Sequence, residues 1–351
     1  MKVGTLKSWL ALFPTLRDTH FDASHALLLA SLLLLKIRMD YQTIISSLAA
    51  FGERQFVQND AARDYISTVL DQLSISYTFE TYDTDLPVYQ RATLTVDGVS
   101  IPCQGSGLVS GEITSVDTLL SSLISSQKNL YDANINFNPR CTEISRSNHY
   151  FAPALSVVAS DVSRLLAAEK IHGVLEVNKR TTQTGYFLLG NIANPQTIVF
   201  SHFDSIGLGA VDNASGVALA IELIKDNPKL LEHVLFVIDG NEELSYDEGI
   251  YWGHGYRVFE ERYIKLIDQT KSILVLDSFG YSTPELITDV EIMTLALPIK
   301  NIQTHKSKMK LLSGSYGELM NFYHAANDQP ELINDRYWQE SKLLIEQELL
   351  N

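Results

Sequence analysis

From residue 186 onward the chain alternates short, unbroken apolar runs with helix-length amphipathic ones: YFLLG, TIVFSHF, ASGVALAIELIKD, HVLFVID, a helical stretch over residues 257–268, and SILVLD. Strands that are apolar on both faces must be covered on both faces. The order therefore predicts a three-layer α/β/α sandwich built on a mixed, largely parallel sheet. With 351 residues and about 150 per domain, the chain has room for more than this one unit.

The text before residue 186 reads differently. Residues 6–50 are densely apolar at helical spacings, with no glycine between Gly4 and Gly52, and predict an N-terminal helical segment, residues 1–50. A helix follows over residues 59–72, with Ala62, Tyr65, Ile66, Val69 and Leu70 on one face, and SISYTFETY alternates like a strand. Between residues 92 and 180 come short strands (LTVDGVSI, ALSVVAS, GVLEV), clusters of Gly, Ser and Asn, and one short helix over residues 163–169. The expected organisation is a main domain of residues 51–91 and 181–351 carrying a β-rich inserted module, residues 92–180. Residues 330–350 predict a closing helix, with Asp328 and Glu331 at capping-box spacing.

Charge and cysteine usage exclude whole classes of partner. Lys and Arg number 27 against 42 Asp and Glu, a net of −15, with no basic block, so neither nucleic acid nor an anionic membrane is expected as the main partner. The apolar run ALLLASLLLL is stopped by Lys36, well short of the ~20 residues a spanning helix needs, and reads as a buried helix or a homo-oligomer contact through the N-terminal helices. Lys7 and Pro14 interrupt any secretory h-region. Cys103 and Cys141 form neither a CxxC pair nor a disulfide framework, which predicts reduced thiols and a cytoplasmic location.

The chemistry gathers at strand ends, where α/β sheets place their reactive groups. TIVFSHF ends in His202, with Asp204 two residues on; Asp212 stands just before the next helix; HVLFVID runs into Glu242 and Glu243; SILVLD ends in Asp277; and His324 precedes the last helix. Singly, each has a duller reading as a helix cap, turn residue or loop histidine. Together they suit hydrolysis at two divalent ions sharing a carboxylate bridge, with open positions for water and substrate. Asp204 is placed to orient the His202 imidazole. Of the paired acids, one would coordinate and its neighbour would serve as general base. The absence of a GxSxG elbow removes the serine-hydrolase alternative.

In this order HFDS, GAVDNASG, NEE, LVLDSFG and YHAAND resemble the signature of the M28 family of co-catalytic zinc aminopeptidases, over residues 53–75 and 186–334. Residues 92–180 look like the protease-associated (PA) module inserted in several relatives. The resemblance implies two Zn2+ per chain, with Co2+ or Mn2+ as substitutes, and peptides with a free N-terminus as substrates, the amino end being read by acidic groups. It further implies that His202, Asp212 and Asp277 hold one ion, that Asp212, Glu243 and His324 hold the other with Asp212 bridging, that Glu242 is the general base, and that Tyr323 helps polarise the scissile carbonyl. The inserted module would act as a lid, excisable to leave a foldable core. Two departures from the family pattern stand out: LSYDEGIYWGHGY replaces the glycine-rich GxxGS run, and His324-Ala325 replaces His-Thr. Two other readings stay open. One is a glutaminyl-cyclase-like acyltransferase using a single zinc, which Asp239-Gly240-Asn241-Glu242 approaches. The other is a peptidase-shaped binding protein, against which the intact ligand set speaks.

Overall fold

The apolar runs assemble into the sheet they predict, as a computed structural model that describes residues 40–117, 119–123, 129–247 and 249–350. Residues 1–39, with the ALLLASLLLL run and most of the expected N-terminal helical segment, lie outside the described residues. That segment ends in helix α1 (Tyr41–Ala49), followed by α2 (Val57–Leu73) close to its expected bounds.

Strands β1 (Thr78–Val96), β2 (Val99–Ile101), β3 (Gln104–Gly105), β4 (Gly111–Ile113), β5 (Leu119–Ser121), β6 (Asn134–Phe137), β7 (Ala154–Val157), β8 (Ile171–Gly190), β9 (Thr197–His202), β10 (Val234–Asp239), β11 (Ser272–Leu276), β12 (Glu285–Ile287) and β13 (Met309–Ser313) follow in chain order. The main sheet has the order β12-β13-β11-β9-β10-β8-β1-β2, with β4 also on β8. Its centre, β13-β11-β9-β10, is parallel. Its flanks are antiparallel. Strands β12 and β13 have no counterpart among the expected elements; β13 is a short run that follows Lys306 and Lys308 and is itself interrupted by Lys310.

Helix α3 (Ser215–Asp226) is buried from Ser215 to Ile224 except at Glu222. An all-round apolar helix has to sit between layers, and α3 does, packing on β9 and on α1. On the other face α4 (His254–Gln269) lays Tyr256, Phe259, Leu266 and Ile267 against Ile198, Phe200, Leu235, Val237, Ile273 and Val275. The closing helix α5 (Asp335–Leu350) is fixed by Trp338, whose ring stacks on Tyr41 at 4.2 Å and whose Nε1 donates to Glu222 at 2.7 Å. It starts later than expected. Asp328 does not cap it, because its carboxylate is bonded to the main chain of residues 211 and 212 instead.

The inserted segment has its own second sheet, β3-β7-β6-β5, and its own apolar core around Leu94, Ile135, Leu155, Leu165, Ile171 and Leu175. The positions expected as its boundaries fall inside β1 and β8. These two strands pair without interruption from Thr78↔Leu188 to Val96↔Ile171, apart from one bulge near Tyr89, so they carry the main sheet straight into the insert. Residues 41–351 group as one compact unit. No helix among the described residues is long and apolar enough to cross a membrane.

Candidate metal centre

Parallel strands end on the same edge, and here β9, β10 and β11 deliver His202, the Asn241-Glu242-Glu243 turn and Asp277 to one place. Asp212 comes from the irregular turn Ala210–Ala214 that leads into α3, and its peptide bond to Asn213 is cis. Asn213 fastens this turn to the sheet: its Nδ2 donates to the Leu276 carbonyl at 2.7 Å, and its Oδ1 accepts the Gly216 N–H at 2.8 Å. His324 arrives from the loop between β13 and α5 with φ 52°.

All the expected ligands are brought together. Within 4.8 Å of one another lie ligand atoms of His202, Asp212 and Asp277, and of Asp212, Glu243 and His324, the two sets sharing Asp212. His202 Nε2 stands 3.3 Å from Asp212 Oδ1 and 3.8 Å from Asp277 Oδ1. His324 Nε2 stands 3.5 Å from Asp212 Oδ2 and 2.8 Å from Glu243 Oε2. None of these approaches has hydrogen-bond geometry, so both Nε2 atoms and Glu243 Oε1 are buried without a hydrogen-bond partner. Buried polar atoms are otherwise almost always paired. Convergent unpaired nitrogen and oxygen donors of this kind fit a divalent cation such as zinc. His202, Glu242 and Glu243 form a third grouping within the same distance, so proximity alone does not separate ligand from base in the paired acids.

The electrostatics point the same way. Burial pushes the Glu242 carboxyl well up, and the neighbouring Glu243 adds to it. Burial and Asp212 push Glu243 to about 7, and the same two causes raise Asp277. Burial opposes ionisation of Asp212 too, but the two imidazoles outweigh it and hold that carboxyl well below its usual range. Burial likewise opposes charge on His202 and His324, yet the surrounding carboxylates win and hold both rings well above the ordinary histidine range. The cluster gathers more carboxylates than imidazoles, an excess of negative charge that metal cations are suited to answer.

A surrounding layer of bonds aims these groups. Asp204, fully buried, stands 3.3 Å from His202 Nδ1 and accepts the main-chain N–H groups of both Glu242 and Glu243 at 3.0 Å. Tyr323 stacks on His324 with centroids 3.7 Å apart, and burial followed by Asp212 and Glu243 keeps its hydroxyl protonated. Three further supports carry no sequence signal for the role they play here. Arg54, without exposed surface, donates to the carbonyls of Phe203, Leu208 and Gly209. Gly209 has φ 59°, and a Cβ there would lie 2.5 Å from the Asp212 carbonyl and 2.8 Å from Arg54 Nη2. Asp328 holds the Val211 and Asp212 N–H groups at 2.8 and 3.1 Å. Behind the Glu242 turn, Asp239 accepts the Tyr82 hydroxyl at 2.5 Å.

This arrangement is that of a metal-dependent hydrolase, and the comparisons agree. Residues 189–325 match the model of peptidase family M28, a region that spans the metal centre from the end of β8 to just past His324. The resemblance to that family is thereby borne out, and with it the chain's place among hydrolases acting on peptide bonds. No curated protein matches the chain. Among solved structures, the zinc aminopeptidase BSAP of Bacillus subtilis is similar with TM-score 0.60 and 16% identity, over 87% of this chain and 92% of that one. The aminopeptidase of Aneurinibacillus sp. strain AM-1 gives 0.57 and 15%, over 87% and 91%. A peptidase M28 precursor from Shewanella amazonensis gives 0.57 and 13%, over 88% and 92%. At such identities the likeness is one of fold.

Proposed function

We propose that the chain is an aminopeptidase that holds two zinc ions, one on His202, Asp212 and Asp277 and the other on Asp212, Glu243 and His324, with Glu242 as general base. The observation that carries this reading is the pair of ligand sets sharing Asp212, each with an imidazole Nε2 that is buried and unpaired. Bound zinc supplies Lewis-acid polarisation of the scissile carbonyl and makes water acidic enough to attack near neutral pH. Glu242, its affinity for protons raised by burial, takes the proton of the attacking water and returns it to the leaving amine. Tyr323 offers its hydroxyl proton as a hydrogen bond to the same carbonyl. Asp204 keeps His202 and both glutamates in register. Leu108 and Leu130 of the insert pack with Ile206, Leu244 and Tyr251 beside the ligands, which supports a role for residues 92–180 in limiting access to the site. Unpaired Cys103 and Cys141 support a reducing, cytoplasmic setting.

The test is to measure bound metal per chain alongside cleavage of a free and an N-acetylated peptide of the same sequence. Two ions, with cleavage of the free peptide alone, is the expected result. One ion with cyclisation of an N-terminal glutamine peptide would replace this reading by the cyclase one, and no tightly held metal with no turnover would leave a binding protein.

A further inference from the structure

His324 is fixed by a residue 178 positions away in the chain. Its Nδ1 lies 3.1 Å from the Arg146 carbonyl oxygen, and the Arg146 N–H donates back to the His324 carbonyl at 3.1 Å. A carbonyl oxygen only accepts, so Nδ1 carries the hydrogen, and Nε2 is the nitrogen left facing Asp212 and Glu243. The same loop between β6 and β7 grips the chain on the approach to the ligand. Ser145 Oγ donates to the Tyr323 carbonyl at 2.6 Å, and Asn138 Nδ2 donates to the Met320 carbonyl at 2.8 Å. The positive φ of His324, unusual for a residue other than glycine, persists only where neighbours over-determine it, and these bonds do so.

Arg146 is itself anchored. Its buried guanidinium pairs with the carboxylate of Glu53, in the turn between α1 and α2. Three segments far apart in sequence thus meet in series: Glu53, then Arg146 of the insert, then the ligand. We infer that Glu53 and Arg146 are positioning residues for the second metal ion, so that residues 92–180 complete the metal centre as well as covering it. The inference rests on the two-zinc reading above. Excision of the insert would then leave a core that lacks the carbonyl that sets the His324 ring.

The experiment is a calorimetric titration of zinc into metal-free protein, comparing wild type with Arg146→Met, Arg146→Lys, Glu53→Gln and the Glu53→Gln/Arg146→Met double variant. Near-UV circular dichroism of the metal-free forms reports folding. Outright loss of an orienting partner of a metal-bound histidine typically weakens affinity by about 10- to 100-fold; here the carbonyl remains and only its anchor is removed, so a loss of about 10-fold, the low end of that range, is the expectation. That loss is expected at one of the two ions in Arg146→Met and Glu53→Gln, with the other ion unchanged, partial rescue in Arg146→Lys, and a double variant no worse than the worse single one. A purely structural role would lower the stability of the metal-free protein and leave both affinities alone. Unchanged affinities in a folded Arg146→Met protein, or equal loss at both ions, overturn the inference while the two-zinc reading stands. Should Arg146→Met fail to fold, Glu53→Gln decides, since the Glu53 side chain is one-third exposed. A wild type that binds a single ion removes the two-zinc reading and this inference with it.

Discussion

Asp204 and Glu242 are joined side chain to main chain: Oδ1 of the first accepts the N–H of the second at 3.0 Å, and Oδ2 does the same for Glu243. One carboxylate on the loop after β9 therefore sets the turn after β10, while also standing beside Nδ1 of His202. Glu242 and Glu243 inherit their spacing from this single group.

Asp204→Asn is accordingly expected to act on two levels. The amide keeps one acceptor oxygen but turns an NH2 toward a main-chain N–H, leaving a buried donor unmet, so stability falls by about 1–3 kcal/mol. Metal affinity falls with it, by roughly the 10- to 100-fold usual for an orienting partner. Urea unfolding with and without zinc separates the two effects. A variant that unfolds earlier yet keeps wild-type metal affinity would confine Asp204 to the fold.

The paired acids should fail differently. Glu242→Gln removes a proton acceptor and no ligand, so turnover is expected to fall on the order of 10² to 10⁴ with metal content near wild type. Glu243→Gln replaces an anionic donor next to His324 Nε2 with a neutral amide, so one ion is lost and excess zinc partly restores turnover. Bound metal and peptide hydrolysis measured on both variants check the assignment, and the reverse pattern exchanges the two roles.

The convergence of the proposed ligand residues is legible in the sequence because each sits at a strand end or a turn, where local pattern is strong, and the strand order brings the ends together. What holds the ligands is not legible in the same way. Arg54 follows an unremarkable turn, and nothing near it in sequence marks its carbonyl partners, which lie about 150 positions on. Arg146 acts on His324 through its main chain, which any residue possesses. Asp328 shows a true local signal, capping-box spacing to Glu331, that loses to a tertiary one. The N–H groups of Val211 and Asp212 are buried and need an acceptor more than a late-starting helix needs a cap. The insert's boundaries are hidden for a related reason: a strand that changes neighbours along its length keeps the same alternation.

The segment LSYDEGIYWGHGY, where the chain departs from the family pattern, carries a pH-dependent tie. His254 Nδ1 lies 2.7 Å from Asp247 Oδ2, and Arg257 pairs with the same oxygen. Burial works against charge on His254, but Asp247 outweighs it and holds the imidazole above its ordinary 6.5. Its stabilising contribution is thus full below pH 6.5 and is lost as pH rises through the higher folded value. Burial likewise opposes ionisation of Asp247, yet His254 and Arg257 outweigh it and hold the carboxyl below 3.8. That contribution is present above pH 3.8 and is lost as pH falls through the lower folded value. His254→Gln is expected to abolish the alkaline decline and to lower Tm at pH 6 by about 1–2 °C, the pair being partly exposed. Melting curves from pH 5 to 9 check this, and parallel wild-type and variant profiles would remove His254 as the titrating group.

Arg54 is the most buried cation near the centre, and its removal should cost more than any other change outside the ligands. Burial lowers its pKa to about 10, with Asp204 and Asp328 the leading opposing influences, so it stays charged at neutral pH. Among the described residues its guanidinium makes no hydrogen bond to a carboxylate; it donates to the carbonyls of Phe203, Leu208 and Gly209, along the stretch that leads from β9 to Asp212. Arg54→Met keeps the length and apolar stem but strands those carbonyls. Since an unmet buried acceptor costs about 1–3 kcal/mol, and water can reach some of them after relaxation, a total loss of about 3–5 kcal/mol is expected. Arg54→Lys restores charge but not the forked geometry that reaches several oxygens at once, and should recover less than half of the loss. Urea unfolding of both variants in chelator isolates the fold from metal binding. A loss under about 1 kcal/mol in Arg54→Met would mean that water replaces the guanidinium freely and that the loop holds its shape without it.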